Sequence, residues 1–234
     1  MIHKLEESLD SNKEFSMLVD LLNQNINQES NQVGLLEKML IVLLVTKLET
    51  FLENKTSEWF EYMKSNPMNT VNNISQVIKK EIIKDTYRIC KELEDGVVSN
   101  KNKNKIKNFN ILIDELYPLS NLDIDFKLTI NSHGSNEIKG LLRKIGLENI
   151  FETIENSLEK DNEVLGGIHL TAKMDYEGII NKLINYRNSI IHEDWLNYLS
   201  ISDMNEFIES VNLIGNVVFN YVKQFELEKD VIME

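Results

Sequence analysis

Three side chains of different chemistry lie within six residues, in Tyr186-Arg187-Asn188-Ser189-Ile190-Ile191-His192-Glu193-Asp194. The segment before them is apolar-periodic, through Ile179, Ile180, Leu183, Ile184, Ile190 and Ile191, which is the spacing of a helix with one buried stripe. With Arg187 set at zero on a helix of about 100° per residue, Ile180, Leu183, Ile184, Ile190 and Ile191 all fall within roughly 60° of it. A guanidinium therefore sits in the middle of the apolar stripe, where it cannot shed its proton and where an unpaired charge is very costly. Asn188 lies about 100° round and His192 about 140° round, at the stripe's edge. A fixed cation, an amide and an imidazole along one edge could bind an anion and move a proton. Two structural readings compete with that one. The histidine can serve as the C-terminal partner of the helix dipole, and the arginine can be the buried half of an ion pair.

The other candidates are weaker. His3 is terminal, and His133 and His169 sit in turn-like segments. No HExxH or paired-histidine spacing occurs, so no metal site is expected, and no glycine-rich phosphate loop is present. The carboxylates are scattered. One concentrated basic stretch carries Lys101, Lys103, Lys105 and Lys107. It reads either as a solvated loop or as an electrostatic contact to a polyanion. The net charge of −13 argues against a protein that coats nucleic acid through a broad positive field, while leaving room for a small local site. Cys90 is the single cysteine, so neither a disulfide framework nor a cysteine zinc cluster is available. The N-terminus lacks the apolar core of a signal peptide. The most apolar run, Met39 to Val45, is too short and too closely flanked by charge to span a bilayer. A soluble, cytoplasmic protein without membrane contact is expected.

With nine Gly and two Pro in 234 residues, long helical segments should dominate and position these groups. The chain divides into an N-terminal helical extension, 1–32, and a larger helical domain, 33–234. Residues 1–26 give one amphipathic helix or two short ones, and the amide-rich 23–32 a loop. A long helix runs from Val33 to Met63; its nearly all-round apolar middle, 39–48, implies a central helix covered on most sides. Pro67 ends it. Asn69 or Thr70 should cap a helix over 70–95 with Gly96 at its C-terminus. Residues 109–131 are ambiguous between helix and a minor short strand. Ser135 or Asn136 should cap a helix that ends at Gly146, and Ile150–Leu158 is another short helix. Residues 159–174 form a linker or surface loop, Asp175 caps the helix of Arg187, and 204–225 is a last amphipathic helix.

Tyr186–His192 matches the R-x4-6-H motif of the HEPN superfamily, and the surroundings resemble bacterial HEPN families. These are the apolar helix with a late Glu (Val42 to Glu49, then Phe51-Leu52), the Ser135-Asn136 helix ending in Ile145-Gly146-Leu147, and the amphipathic helix after the motif. The resemblance covers roughly 33–227. It implies an all-α HEPN-like helical bundle that forms a homodimer, with two motifs facing each other across a two-fold interface. It also implies a metal-independent endoribonuclease, without cofactor, acting as a toxin in a toxin–antitoxin system or as an effector of antiviral, abortive-infection defence, with an antitoxin or defence-system partner protein. On that reading His192 moves protons, Arg187 holds the scissile phosphate, and Asn188 orients His192 or binds a phosphate oxygen. Lys101, Lys103, Lys105 and Lys107 contact the RNA substrate. Glu193 and Asp194 hold His192 protonated, and Glu49 supports Arg187. Some HEPN toxins carry a modifiable Tyr two residues after the His; here that position is Asp194, which puts that mode of control in doubt. The alternatives are a catalytically silent HEPN module that binds RNA or a nucleotide, and a helical interaction subunit whose acidic surface covers a basic partner.

Overall fold

Between Gly34 and Pro67 nothing in the sequence breaks a helix, and a computed structural model shows one helix there, α1, Asn31–Ser65. The structure describes residues 31–66, 68–93, 100–113, 118–124, 126, 134–156, 174–193 and 199–232. The expected N-terminal extension lies outside these except for its last two residues, which are already helical. Leu40, Ile41, Leu44, Val45, Leu48 and Leu52 of α1 are buried, as are Trp59, Phe60 and Met63 further along. The helix packs on three helices later in the chain, over 135–144, 176–193 and 201–232, and leaves Leu35 and Met39 exposed. At its end the Asn69 side-chain amide donates to the Met63 carbonyl at 3.0 Å, satisfying a carbonyl the helix itself leaves unpaired.

The helix expected over 70–95 starts later. Thr70 opens a 3-10 turn, Val71–Asn73, in which its N–H donates to the Asn73 side chain at 2.8 Å. The α-helix, α2, is Gln76–Leu93. Ser75 is its cap: its hydroxyl accepts the Ile78 N–H at 3.3 Å and donates to the Lys144 carbonyl at 2.8 Å. A local side-chain bond at Asn73 thus outcompeted an earlier helix start. Gly96 lies outside the described residues.

The basic stretch is not a loop. It forms α3, Asn100–Ile113, which packs on α2. Lysine is a good helix former, and the apolar set Ile106, Phe109, Ile111 and Leu112 gives the segment a face to bury. The strand allowed within 109–131 is absent among the described residues. Phe109–Ile113 is helical, and the extended structure near it is an isolated bridge between Thr70 and Pro118.

Helix α4, Ser135–Lys144, begins after Gly134. Ser135 is not its cap as expected; it is buried, with its N–H on Asn181 at 2.9 Å and its hydroxyl on Glu177 at 2.9 Å. The C-terminus ends at Gly146, which takes φ +90°. Its N–H reaches the Arg143 carbonyl, and Leu147 N–H the Leu142 carbonyl, each at 3.1 Å. These two bonds make a Schellman motif. Residues 150–156 are helical (α5), followed by α6, Tyr176–Glu193, and α7, Ile201–Ile232. The motif helix α6 packs on α1, α4 and α7. The protein is an all-α bundle, and no described helix is long and apolar enough to cross a membrane.

A Cβ on Gly146 would meet the Tyr221 hydroxyl at 3.0 Å, and that hydroxyl donates to the Ile145 carbonyl at 2.8 Å. Gly146→Ala should therefore destabilise the fold by about 1–2 kcal/mol, chiefly through left-handed backbone strain. Tyr221→Phe should cost about 1 kcal/mol for the lost bond. Urea denaturation of both variants checks this.

Candidate functional site

The site grows from the way α6 is anchored. Asp175 caps it as expected, accepting the Gly178 N–H at 2.8 Å. Its first turns are locked by Asn181 and Glu177, which hold the start of α4, and Lys139 pairs with Glu177. On the far side Lys182 pairs with Asp203 of α7, and the Tyr186 ring packs on Phe207 with centroids 6.0 Å apart.

The apolar stripe changes character along the helix. Ile180, Leu183 and Ile184 are fully buried. Arg187 and Ile190 are half-buried, Ile191 is 49% exposed and His192 is exposed. The stripe is sealed at its start and open at its last turn. Arg187 sits at the changeover. Its Nε is buried with no hydrogen-bond partner, and its Nη1 donates to the Asn188 side-chain oxygen at 2.9 Å. Among the described residues no carboxylate forms an ion pair with it.

The expected site residues are thus distributed as follows. Arg187 and Asn188 are brought together by a direct hydrogen bond. His192 lies about 40° round the helix from Asn188 and about 140° from Arg187, and no hydrogen bond joins it to Asn188, whose carboxamide oxygen is turned to Arg187 instead. Glu49 is half-buried on α1 and makes no ion pair with Arg187. Glu193 closes α6, its side chain outside the described set, and Asp194 lies outside the described residues. Lys103 and Lys107 are exposed on α3, Lys105 pairs with Asp85 of α2, and the Lys101 side chain is not described. These lysines stand on the α2–α3 pair, and the motif on the α1, α4, α6 and α7 group. His3, His133 and His169 lie outside the described residues. Among those described, no three metal-ligating side chains cluster, and Cys90 is free and exposed.

One feature of the site escaped the motif reading. Asn181, Asn185 and Ser189 fall on the same roughly 80° arc of α6 as His192. They line a shallow cavity of about 360 Å³ with Gly178, Lys182 and Tyr186. The i, i+4, i+8 and i+11 spacing was readable in the sequence, but amides on a helix surface carry no signal until a concavity is seen beside them.

A family model described as RiboL-PSP-HEPN matches residues 6–224. The chain belongs to this HEPN family. Membership sets the coarse class, a HEPN nuclease-like or RNA-binding module. No curated protein and no solved structure matches the chain. In this HEPN chain the motif arginine has a buried Nε without a hydrogen-bond partner and, among the described residues, no carboxylate ion pair; a buried donor of this kind is ordinarily satisfied by an acceptor.

Because Arg187 has no ion pair to break among the described residues, Arg187→Ala should change stability by no more than about 1.5 kcal/mol, against about 3–5 for a broken buried pair. Thermal melts decide between the two. The Asp203 carboxyl is held below its ordinary 3.8, first by the hydrogen bond from Lys182 and then by that from Ser200. A depressed carboxylate contributes stability above its unfolded value and loses it as pH falls through the folded one. Asp203→Asn should therefore leave a shallower loss of stability below about pH 4, measured by urea unfolding against pH.

Proposed function

We propose that this HEPN protein is a metal-independent endoribonuclease, working as a toxin or effector in antiphage defence or a toxin–antitoxin system. The observation that carries the reading is the open end of the α6 stripe. There a half-buried arginine, without a carboxylate ion pair among the described residues, and an exposed imidazole stand within six residues of each other.

Those groups suit RNA cleavage by the substrate's own 2′-hydroxyl. The 2′-oxygen attacks the adjacent phosphorus as the bond to the 5′-oxygen breaks. One imidazole takes the 2′-hydroxyl proton and another protonates the departing 5′-oxygen. Arg187 binds the phosphate through its planar fork and stabilises the charge that builds in the transition state. Asn188 sets the plane of that guanidinium through their hydrogen bond. The products are a 2′,3′-cyclic phosphate and a 5′-hydroxyl. A single chain supplies one motif histidine, so the division of labour calls for a homodimer in which two open stripe ends meet. The 49% exposed Ile191 beside each His192 gives such a seam an apolar contact. Joining two Arg187 side chains there also concentrates positive charge at the cleft of an otherwise acidic protein.

The purified protein should cleave RNA in the presence of EDTA, leaving 5′-hydroxyl ends. His192→Ala should slow this by about 100-fold or more with its melting temperature unchanged, and the solution mass should be that of two chains. Equal cleavage by wild type and His192→Ala over a broad set of RNAs would sink the nuclease reading. RNA binding without cleavage, weakened by Arg187→Ala, would assign the silent binding module instead.

A further inference from the structure

Exposed lysines ordinarily do no more than keep a surface hydrated. Those of α2 differ in how the charges around them are spent. The helix carries two carboxylates in its central turns, Glu81 and Asp85, and both are turned aside to other elements. Glu81 pairs with Lys144 at the end of α4 at 2.9 Å, and Asp85 pairs with Lys105 of α3. Arg88 reaches back to Asp85 at 3.4 Å. The neutralised charges all meet in a groove of about 610 Å³ between α2 and α3. Lys80, Lys84 and Lys91 are left on the outer face, exposed and without an ion pair among the described residues.

These three lysines occupy an arc of about 40°. Lys80 and Lys84 are about 6 Å apart along the axis, a step comparable with the phosphate spacing of an extended single strand. Beside this row stand two large side chains that the fold leaves in water, Tyr87 at 75% and Ile83 at 51% exposure. A row of cations flanked by an exposed aromatic ring matches the way single-stranded nucleic acid is held: charge tracks the backbone and bases stack on rings, without sequence reading. A membrane surface would favour cations rimming a continuous apolar face, and α2 buries its apolar face in the core through Ile78, Ile82 and Ile89.

We infer that the outer face of α2 is a binding ridge for single-stranded RNA, with Lys80, Lys84 and Lys91 on phosphates and Tyr87 stacking a base. The inference extends the endoribonuclease reading by giving an acidic protein a place away from Arg187 and His192 to capture its substrate. The capture itself does not depend on cleavage.

The test uses the full chain carrying His192→Ala, so that RNA stays intact, and a labelled 20-nucleotide single-stranded RNA followed by fluorescence anisotropy. Adding Lys80→Gln, Lys84→Gln and Lys91→Gln should weaken binding at least tenfold near 0.1 M salt. The slope of log affinity against log salt should become shallower by roughly two. Tyr87→Ala alone should weaken binding about fivefold or more, and circular dichroism melts should match the parent, since all four side chains are exposed. In the cleaving protein the triple variant should raise KM and leave kcat unchanged. Unchanged RNA affinity and salt slope in the triple variant would overturn the ridge, as would no RNA binding by the parent. So would a loss confined to phosphatidylserine vesicles, which would assign the face to a membrane. Failure of wild type to cleave any RNA would overturn the nuclease reading while the anisotropy still decides the ridge.

Discussion

A guanidinium cannot be sealed in an apolar core, and the arrangement of α6 follows from that constraint. For its first turns the helix behaves as a core element, with Ile180, Leu183 and Ile184 fully buried. One turn later the same stripe carries Arg187. Among the described residues no carboxylate is placed to neutralise it, and burial stops there. Arg187 remains half-covered, its Nη1 occupied by Asn188 and its Nε without a hydrogen-bond partner. Beyond it Ile191 and His192 stand in solvent. The charge that breaks the stripe is also the group best suited to hold a phosphate, so the end of the core and the beginning of the candidate site coincide.

The rest of the bundle keeps that end in place. Helix α1 provides a wall long enough to support α4, α6 and α7 together. The start of α6 is pinned through Asp175, Asn181 and Glu177, and its middle through the Lys182–Asp203 pair and the Tyr186–Phe207 contact. These restraints lie on the turns preceding the motif, so Arg187 and His192 project from a fixed base. A site built on a rigid helix holds its geometry more closely than one built on a loop.

Charge is sorted with the same economy on the other side of the molecule. Two carboxylates of α2, Asp85 and Glu81, are spent on Lys105 and Lys144, which join α2 to α3 and α4. Surface pairs of this kind add little stability. Their larger effect is on the field: they remove negative charge from the α2 surface and leave its lysines unopposed in a chain whose net charge is −13. On the capture proposed above, RNA that would be repelled by the average surface would meet a local positive row.

The sequence by itself determined the helical class, the long central helix, the Asp175 and Gly146 caps and the R-x4-6-H motif. All of these rest on local rules: apolar period, capping chemistry, a residue that tolerates positive φ, and residue spacing. The motif also marked Arg187 as anomalous within its own stripe. Tertiary structure decided what local rules leave open. Whether Arg187 has a carboxylate partner depends on which side chains of α1 face it, and Glu49 does not pair with it. Whether Ser135 caps a helix or is buried depends on Asn181 and Glu177, more than forty residues away in sequence. Lys105 looked like its neighbours Lys103 and Lys107 until α2 placed Asp85 beside it. The α2 ridge was legible as spacing and invisible as charge, because its net sign depends on where Glu81 and Asp85 find partners. Spacing is a property of one helix, whereas neutralisation and burial are properties of the helices packed around it.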